Sequence, residues 1–221
     1  ILRVARAIVP HEIPILGINL GRLGFLTELN AEEAVTRMPE LLTGEGWIDE
    51  HAMLQAELLT TGNKSSHASP SLFHALNDVV MGRGAASHLI HVKAFIDGAP
   101  LTTFRGDGVL VSTATGSTAY SLAAGGPILY PQAKEMLLKP ISAHLTMAYA
   151  LVLPSTATVE LELLADYQAT LSIDGQVDFN LHSGDMVGVK RSPYTAHFLR
   201  IHPASSFYSS LEQRLREREI G

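Results

Sequence analysis

The chain has 221 residues, 46% of them hydrophobic and 17% charged, the make-up of a soluble globular protein long enough to bury its own core. A net charge of −6 and a pI near 5.9 speak against nucleic acid as a partner, and no run approaches the ~18 consecutive apolar residues of a membrane span. There is no cysteine, hence no disulfide framework and no thiolate zinc site, as suits a reducing compartment.

The first residue is Ile1 rather than Met, ILRVARAI reads as the middle of an element, and no signal peptide is visible. The chain is therefore expected to be the ordered part of a longer protein. Ile1, Leu2, Ala5 and Ile8 have helical spacing, Pro10 and Pro14 punctuate, and ILGINL (15–20) is composed like a buried strand. Residues 1–30 thus look like a piece of an α/β unit, with GRLGFL (21–26) as a glycine-rich turn. Asn30 with Glu33 predicts a capping box and a helix to about Leu42, carrying Val35, Met38, Leu41 and Leu42 on one face. Gly44 and Gly46 close it.

From Trp47 onward the period is two. WIDEHAMLQAELL is strand-like, TGNKSSHASPS (61–71) is a polar loop, and LNDVVM and LIHVKAFI follow, the latter ending on an Asp97-Gly98 hairpin turn. VLVST (109–113), TVELELL (158–164), ATLSI and VDFNL around Asp174-Gly175, MVGVK and AHFLRI complete roughly eight expected strands. These predict a largely antiparallel β-sandwich-like domain. Phe207, Leu211 and Leu215 then mark a final helix, with Glu212 and Arg216 paired along it. Glu212, Glu217 and Glu219 deny that helix a basic, membrane-binding face, so it is expected to pack back on the N-terminal piece.

Between two of those strands lies TATGSTAYSLAAGGP (113–127). Ser117 or Thr118 could cap a run of about two helical turns, which Gly125, Gly126 and Pro127 end. A helix start presents free backbone N–H groups, and small hydroxyl residues there let a phosphate or a ribose come close. Taken singly, the short pieces around it also fit plain structural parts. Asn77-Asp78 fits a strand-entry turn, Gly106-Asp107-Gly108 a tight turn, and Asp174-Gly175 a hairpin.

Together they resemble the NAD kinase family. Four pieces carry the resemblance, in the family's order and spacing: ILGINLGRLGFLTEL (15–29), ALNDVV (75–80), FRGDGVLVSTATGSTAYSLAAGGPI (104–128) and SIDGQ (172–176). The resemblance implies transfer of the γ-phosphoryl group of ATP, or of another phosphoryl donor, to the 2′-hydroxyl of NAD's adenosine ribose. It implies that Asn77 and Asp78 contact NAD, with Asp where the family carries Glu, and that Arg105 and Asp107 form a second binding turn. Thr118, Ala119, Tyr120, Ser121, Leu122 and Ala123 would line the NAD pocket, with Ala123 where many members have Ser. Gln176, His88 and Arg3 fall on further ligand positions. The physics suits these roles: an amide and a carboxylate grip ribose hydroxyls, and a guanidinium fork grips phosphate oxygens.

The family's Gly-Gly-Asp-Gly loop, whose Asp serves as general base or organises magnesium, does not occur in this sequence. It is expected directly upstream of ILRVARAI, so no catalytic residue is assigned within the chain, which alone should turn over little. The fold class expected is α+β. A truncated Rossmann-like α/β domain (1–45), completed by the C-terminal helix (204–221), would accompany a β-rich NAD-binding domain (46–203). The resemblance further implies NAD and a nucleoside triphosphate as partners, Mg²⁺ arriving with the triphosphate rather than at a protein-held metal site, a homodimer or homotetramer, and a cytoplasmic location. No nucleic acid and no membrane are expected as partners. A non-catalytic NAD(P)-binding sensor, a lipid kinase of the diacylglycerol type and a β-domain with an interaction role remain alternatives.

Overall fold

In the computed structural model, which describes residues 1–21, 24–59, 72–84, 88–144, 147–164 and 168–219, the chain divides into two compact units. One comprises Ile1, Arg3–Glu50 and Ala196–Gly221, the other Leu2 and His51–Thr195. The polar loop 61–71 lies outside the described residues, as do the side chains from 217 onward.

The first unit opens with α1 (Leu2–Ala7), β1 (Ile18–Asn19), β2 (Leu29–Asn30) and α2 (Ala31–Leu42). The capping box is present in both directions: the Asn30 side chain accepts from Glu33 N–H and the Glu33 carboxylate from Asn30 N–H, each at 2.9 Å. The buried face of α2 differs from the expected one. Ala34 and Leu41 are buried while Val35 and Leu42 are 79% and 81% exposed. At 100° per residue, the face through 34, 38 and 41 turns inward onto Leu29, Leu16, Leu199 and Ile201. ILGINL is not one buried strand either. Ile15 makes a lone parallel bridge to Phe198, only Ile18 and Asn19 pair in parallel with Leu29 and Asn30, and Leu20 is 85% exposed.

Glu28, inside the GFLTE stretch, ties this unit together. Its carboxylate accepts from Ile201 N–H at 2.8 Å, His202 N–H at 2.7 Å, the His202 ring at 2.9 Å and Arg200 at 3.2 Å. Arg200 reaches Asp49 as well, at 3.1 Å. The closing helix of this unit, Ser206–Glu219, sends Arg214 to the Gly24 carbonyl at 2.6 Å and over the Phe25 ring. The expected Glu212–Arg216 pair is formed.

The second unit is built from β3 (Trp47–Leu59), β4 (Leu72–Ala75), β5 (Asp78–Arg83), β6 (Ile90–Ile96), β7 (Ala99–Gly106), β8 (Gly108–Ser112), the short helix α3 (Tyr120–Ala123), β9 (Met136–Ile141), β10 (Leu151–Leu153), β11 (Thr158–Leu163), β12 (Ala169–Ile173), β13 (Val177–Leu181) and β14 (Met186–Arg200); the closing helix is α4. β3 and β14 each run from one unit into the other. Two six-stranded antiparallel sheets form, in the orders β10-β9-β8-β5-β12-β13 and β4-β3-β14-β11-β6-β7. Their facing sides supply one core, including Leu54, Met81, Phe104, Val111, Leu138, Val159, Leu171 and Val189. The fold is thus α+β with a β-sandwich. Both expected hairpins turn on residues with positive φ: Asp97 (51°) with Gly98 (77°), and Asp174 (53°) with Gly175 (63°). β4, β9 and β10 were not anticipated, and MVGVK and AHFLRI prove to be one continuous strand.

Candidate functional site

Alternation along β5 decides where the site forms. Val79 and Met81 enter the sandwich core, so Asp78 and Val80 face the other side of the sheet. Register sets Asp78 beside Ser112 and Val80 between Leu110 and Ser172. The TATGSTAYSLAAGGP segment folds over this outer face, with Ala124 packed on Val80, Leu110 and Ile141.

The segment is interlocked with the backbone before β5. Thr113 N–H donates to the Asn77 carbonyl at 2.9 Å, Thr113 Oγ1 to the Leu76 carbonyl at 2.6 Å and Ser112 Oγ to the Asn77 carbonyl at 3.1 Å. His51, 1% exposed, holds Thr115 Oγ1 through its Nδ1 at 2.8 Å. A Cβ on Gly116 would lie 2.1 Å from the Asn77 carbonyl oxygen. Gly116→Ala should therefore push Asn77 out of place and cost ~1–3 kcal/mol of stability, read as a lowered midpoint in urea unfolding. An unchanged midpoint would show that the segment does not hold Asn77.

The hydroxyls expected to cap the helix build the preceding turn instead. Ser117 Oγ donates to the Ala114 carbonyl at 2.6 Å and accepts from Leu129 N–H, and Thr118 Oγ1 donates to the Thr115 carbonyl. The helix is only Tyr120–Ala123, with Ala119 as an N-cap that has no side-chain cap bond.

Beside it opens a pocket of about 290 Å³ lined by Asn77, Asp78, Val80, Ala119, Tyr120, Ser172, Asp174 and Gly175. Burial, and then the charge of Asp174, push the Asp78 carboxyl up from its ordinary 3.8 to about 7. Burial, then Asp107 and Asp78, push the Tyr120 phenol up against the opposing pull of Arg83. Arg83 Nε pairs with Asp107 Oδ1 at 2.9 Å, and Arg83 N–H donates to the Asp107 carbonyl. The site is therefore rich in hydrogen-bond acceptors, with one aromatic wall and a guanidinium close to that wall.

Of the residues singled out in the sequence, the pocket gathers Asn77, Asp78, Ala119 and Tyr120. Asp107 is half-buried in its ion pair, and Thr118 is buried in the turn. Leu122 is half-buried, while Ala123 and Gln176 are exposed. The Ser121 hydroxyl is fully buried and has no hydrogen-bond partner among the described residues, so it faces protein rather than the pocket. His88 precedes β6 and Arg105 lies on β7 across from His91, both exposed. Arg3 is exposed on α1 in the first unit. Val80, Ser172, Asp174 and Gly175 were not assigned to the site, although the motif pieces ALNDVV and SIDGQ contain them; of SIDGQ only Gln176 was given a ligand contact, and its Asp-Gly was otherwise read as a hairpin turn. Among the described residues no group of three or more His, Asp or Glu side chains is placed to hold a metal ion.

Residues 1–46 match the ATP-NAD kinase N-terminal domain and residues 76–201 the ATP-NAD kinase C-terminal domain. The chain belongs to the NAD kinase family. An NAD kinase of Dehalococcoides mccartyi is 45% identical over 216 residues, covering 98% of this chain and 75% of the relative. One of Chloroflexus aurantiacus is 43% identical, covering 98% and 76%. Among solved structures, yeast NADH kinase complexed with NADH superimposes with a TM-score of 0.88 at 28% identity. That match covers 97% of this chain and 62% of the yeast one. An NAD kinase from Archaeoglobus fulgidus in complex with ATP, 23% identical with a TM-score of 0.75 over 92% of this chain and 74% of its own, shares the fold. Within the family's frame, the pocket joins three of the four motif pieces, ALNDVV, TGSTAY and SIDG, on one sheet face.

Proposed function

We propose that this chain carries the NAD-facing part of an NAD kinase, which transfers a phosphoryl group from ATP or another donor to the 2′-hydroxyl of NAD's adenosine ribose. The convergence of Asn77-Asp78, Ala119-Tyr120 and Ser172-Asp174 on one pocket supports this reading. Ligand pockets span ~300–1,000 Å³, so a pocket of about 290 Å³ suits one nucleoside half of a dinucleotide. Asn77 would donate and accept at a ribose edge, Asp78 would accept from the ribose hydroxyls, and the Tyr120 ring would wall the base. Arg83, freed from Asp107, would supply a cation for a phosphate oxygen.

Catalysis needs a base on the 2′-hydroxyl, a contribution of ~10²–10⁴-fold. We assign it to the family's Gly-Gly-Asp-Gly loop, outside these 221 residues, and the divalent cation to the triphosphate that brings it. A homodimer or homotetramer in the cytoplasm is the assembly this reading carries. NADP⁺ formation from NAD⁺ and Mg·ATP tests it, with this chain compared to one extended upstream through the loop. Turnover by the longer protein alone is the expected result. NAD binding without turnover by either would favour a non-catalytic sensor, and phosphorylation of a lipid acceptor instead of NAD would overturn the reading.

A further inference from the structure

Asp174 occupies the first position of the β12–β13 turn, in the left-handed region at φ 53°. Its carboxylate accepts from three successive backbone N–H groups: Leu76 at 3.1 Å, Asn77 at 2.7 Å and Asp78 at 3.2 Å. Asp174 N–H donates back to the Asp78 carbonyl at 2.9 Å. The partners lie 96–98 residues away in sequence, and both sides of this clamp line the pocket. An acceptor-only group matched to three converging donors is a charge-assisted arrangement. It holds the strand entry from which Asn77 and Asp78 project.

We propose that Asp174 is a positioning residue of the nucleotide site, and that its charge couples dinucleotide binding to loss of the proton on Asp78. This rests on reading the pocket as the NAD site. Two acidic groups face Asp78, Asp174 from the β12–β13 turn and Tyr120 from α3, and the Arg83–Asp107 pair lies beside Tyr120. Burial together with Asp174 keeps the Asp78 carboxyl protonated up to about pH 7. Ribose hydroxyls donate, so they are held best by the carboxylate. Binding therefore expels a proton to solvent near neutrality, and affinity rises with pH.

The test is NAD⁺ affinity of the chain by calorimetry from pH 5.5 to 8.5, for the wild type and Asp174→Asn. Wild-type affinity is expected to rise about tenfold between pH 6 and pH 8, as one proton is released. Asp174→Asn replaces one acceptor oxygen by an amide donor facing backbone donors. It should bind more than ~10-fold more weakly at pH 8, with the midpoint of the pH dependence moved to lower pH. A role in folding alone would leave that midpoint in place, so an unmoved midpoint, or undiminished affinity, overturns the proposal. Should Asp174→Asn fail to fold, Asp78→Asn carries the test: its affinity must be flat across this range, and a retained tenfold rise overturns the coupling. Absence of wild-type binding at every pH would remove the NAD reading itself, and this inference with it.

Discussion

Replacing Glu28 by alanine is expected to destabilise the protein by ~3–5 kcal/mol, the usual cost of stripping one partner from a buried ionic network. The Glu28 side chain is 6% exposed and that of Arg200 10%. Removal of the carboxylate would leave the N–H groups of Ile201 and His202 without their acceptor, and Arg200 with Asp49 as its one carboxylate partner among the described residues. A buried donor left unsatisfied costs ~1–3 kcal/mol; these two N–H groups are half-buried, so each falls towards the low end of that figure and the uncompensated Arg200 charge supplies the rest. Glu28→Gln keeps an oxygen for the two N–H groups and loses the charge facing Arg200, so its loss should be smaller. Urea unfolding checks both variants. A loss below ~1 kcal/mol for Glu28→Ala would mean that water replaces the carboxylate and that the network does not hold the unit together.

The second large effect has the opposite sign. Asp78→Asn should stabilise the protein at pH 8 while weakening NAD binding. Asp78 is 5% exposed, and its carboxyl is raised from 3.8 to about 7. The folded protein therefore holds a proton that the unfolded chain has already released between those pH values. Stability from this group is greatest below about pH 4, falls as pH rises, and has been lost by about pH 7. At pH 8 the folded state carries the full cost of a buried carboxylate beside Asp174, worth at most ~4 kcal/mol for a shift of this size. An asparagine carries no such cost, so its advantage in melting temperature should be largest at pH 8 and shrink towards pH 4. Equal melting of variant and wild type at pH 8 would show that Asp78 is not charged at a cost there. A stability gain coupled to lost binding is the mark of a residue kept for function.

The two units put different demands on the reader of the sequence. α2 was legible because its start depends on residues three apart, Asn30 and Glu33, and the Asp97-Gly98 and Asp174-Gly175 hairpins because each turn is set by two adjacent residues that accept positive φ. β9 was not legible: MLLKPI is buried at all six positions, so it shows no alternation. β4 and β10, of four and three residues, are too short to show a period. Helical spacing located α2, but it assigned Val35 and Leu42 to a face that the neighbouring cluster does not cover.

The motif pieces identified the family from residue order alone. Which of their residues share a pocket depended on pairing between distant strands. Ser172 meets Val80 only through the β12–β5 register, and Asp174 reaches Leu76 to Asp78 across nearly a hundred residues. Ser121 is fully buried although its neighbour Tyr120 lines the pocket. Caps and tight turns are decided by contacts within a few residues, so the sequence by itself determined them. Pocket membership, the burial that raises Asp78 and the clamp of Glu28 follow from long-range packing, and only the tertiary structure decided those.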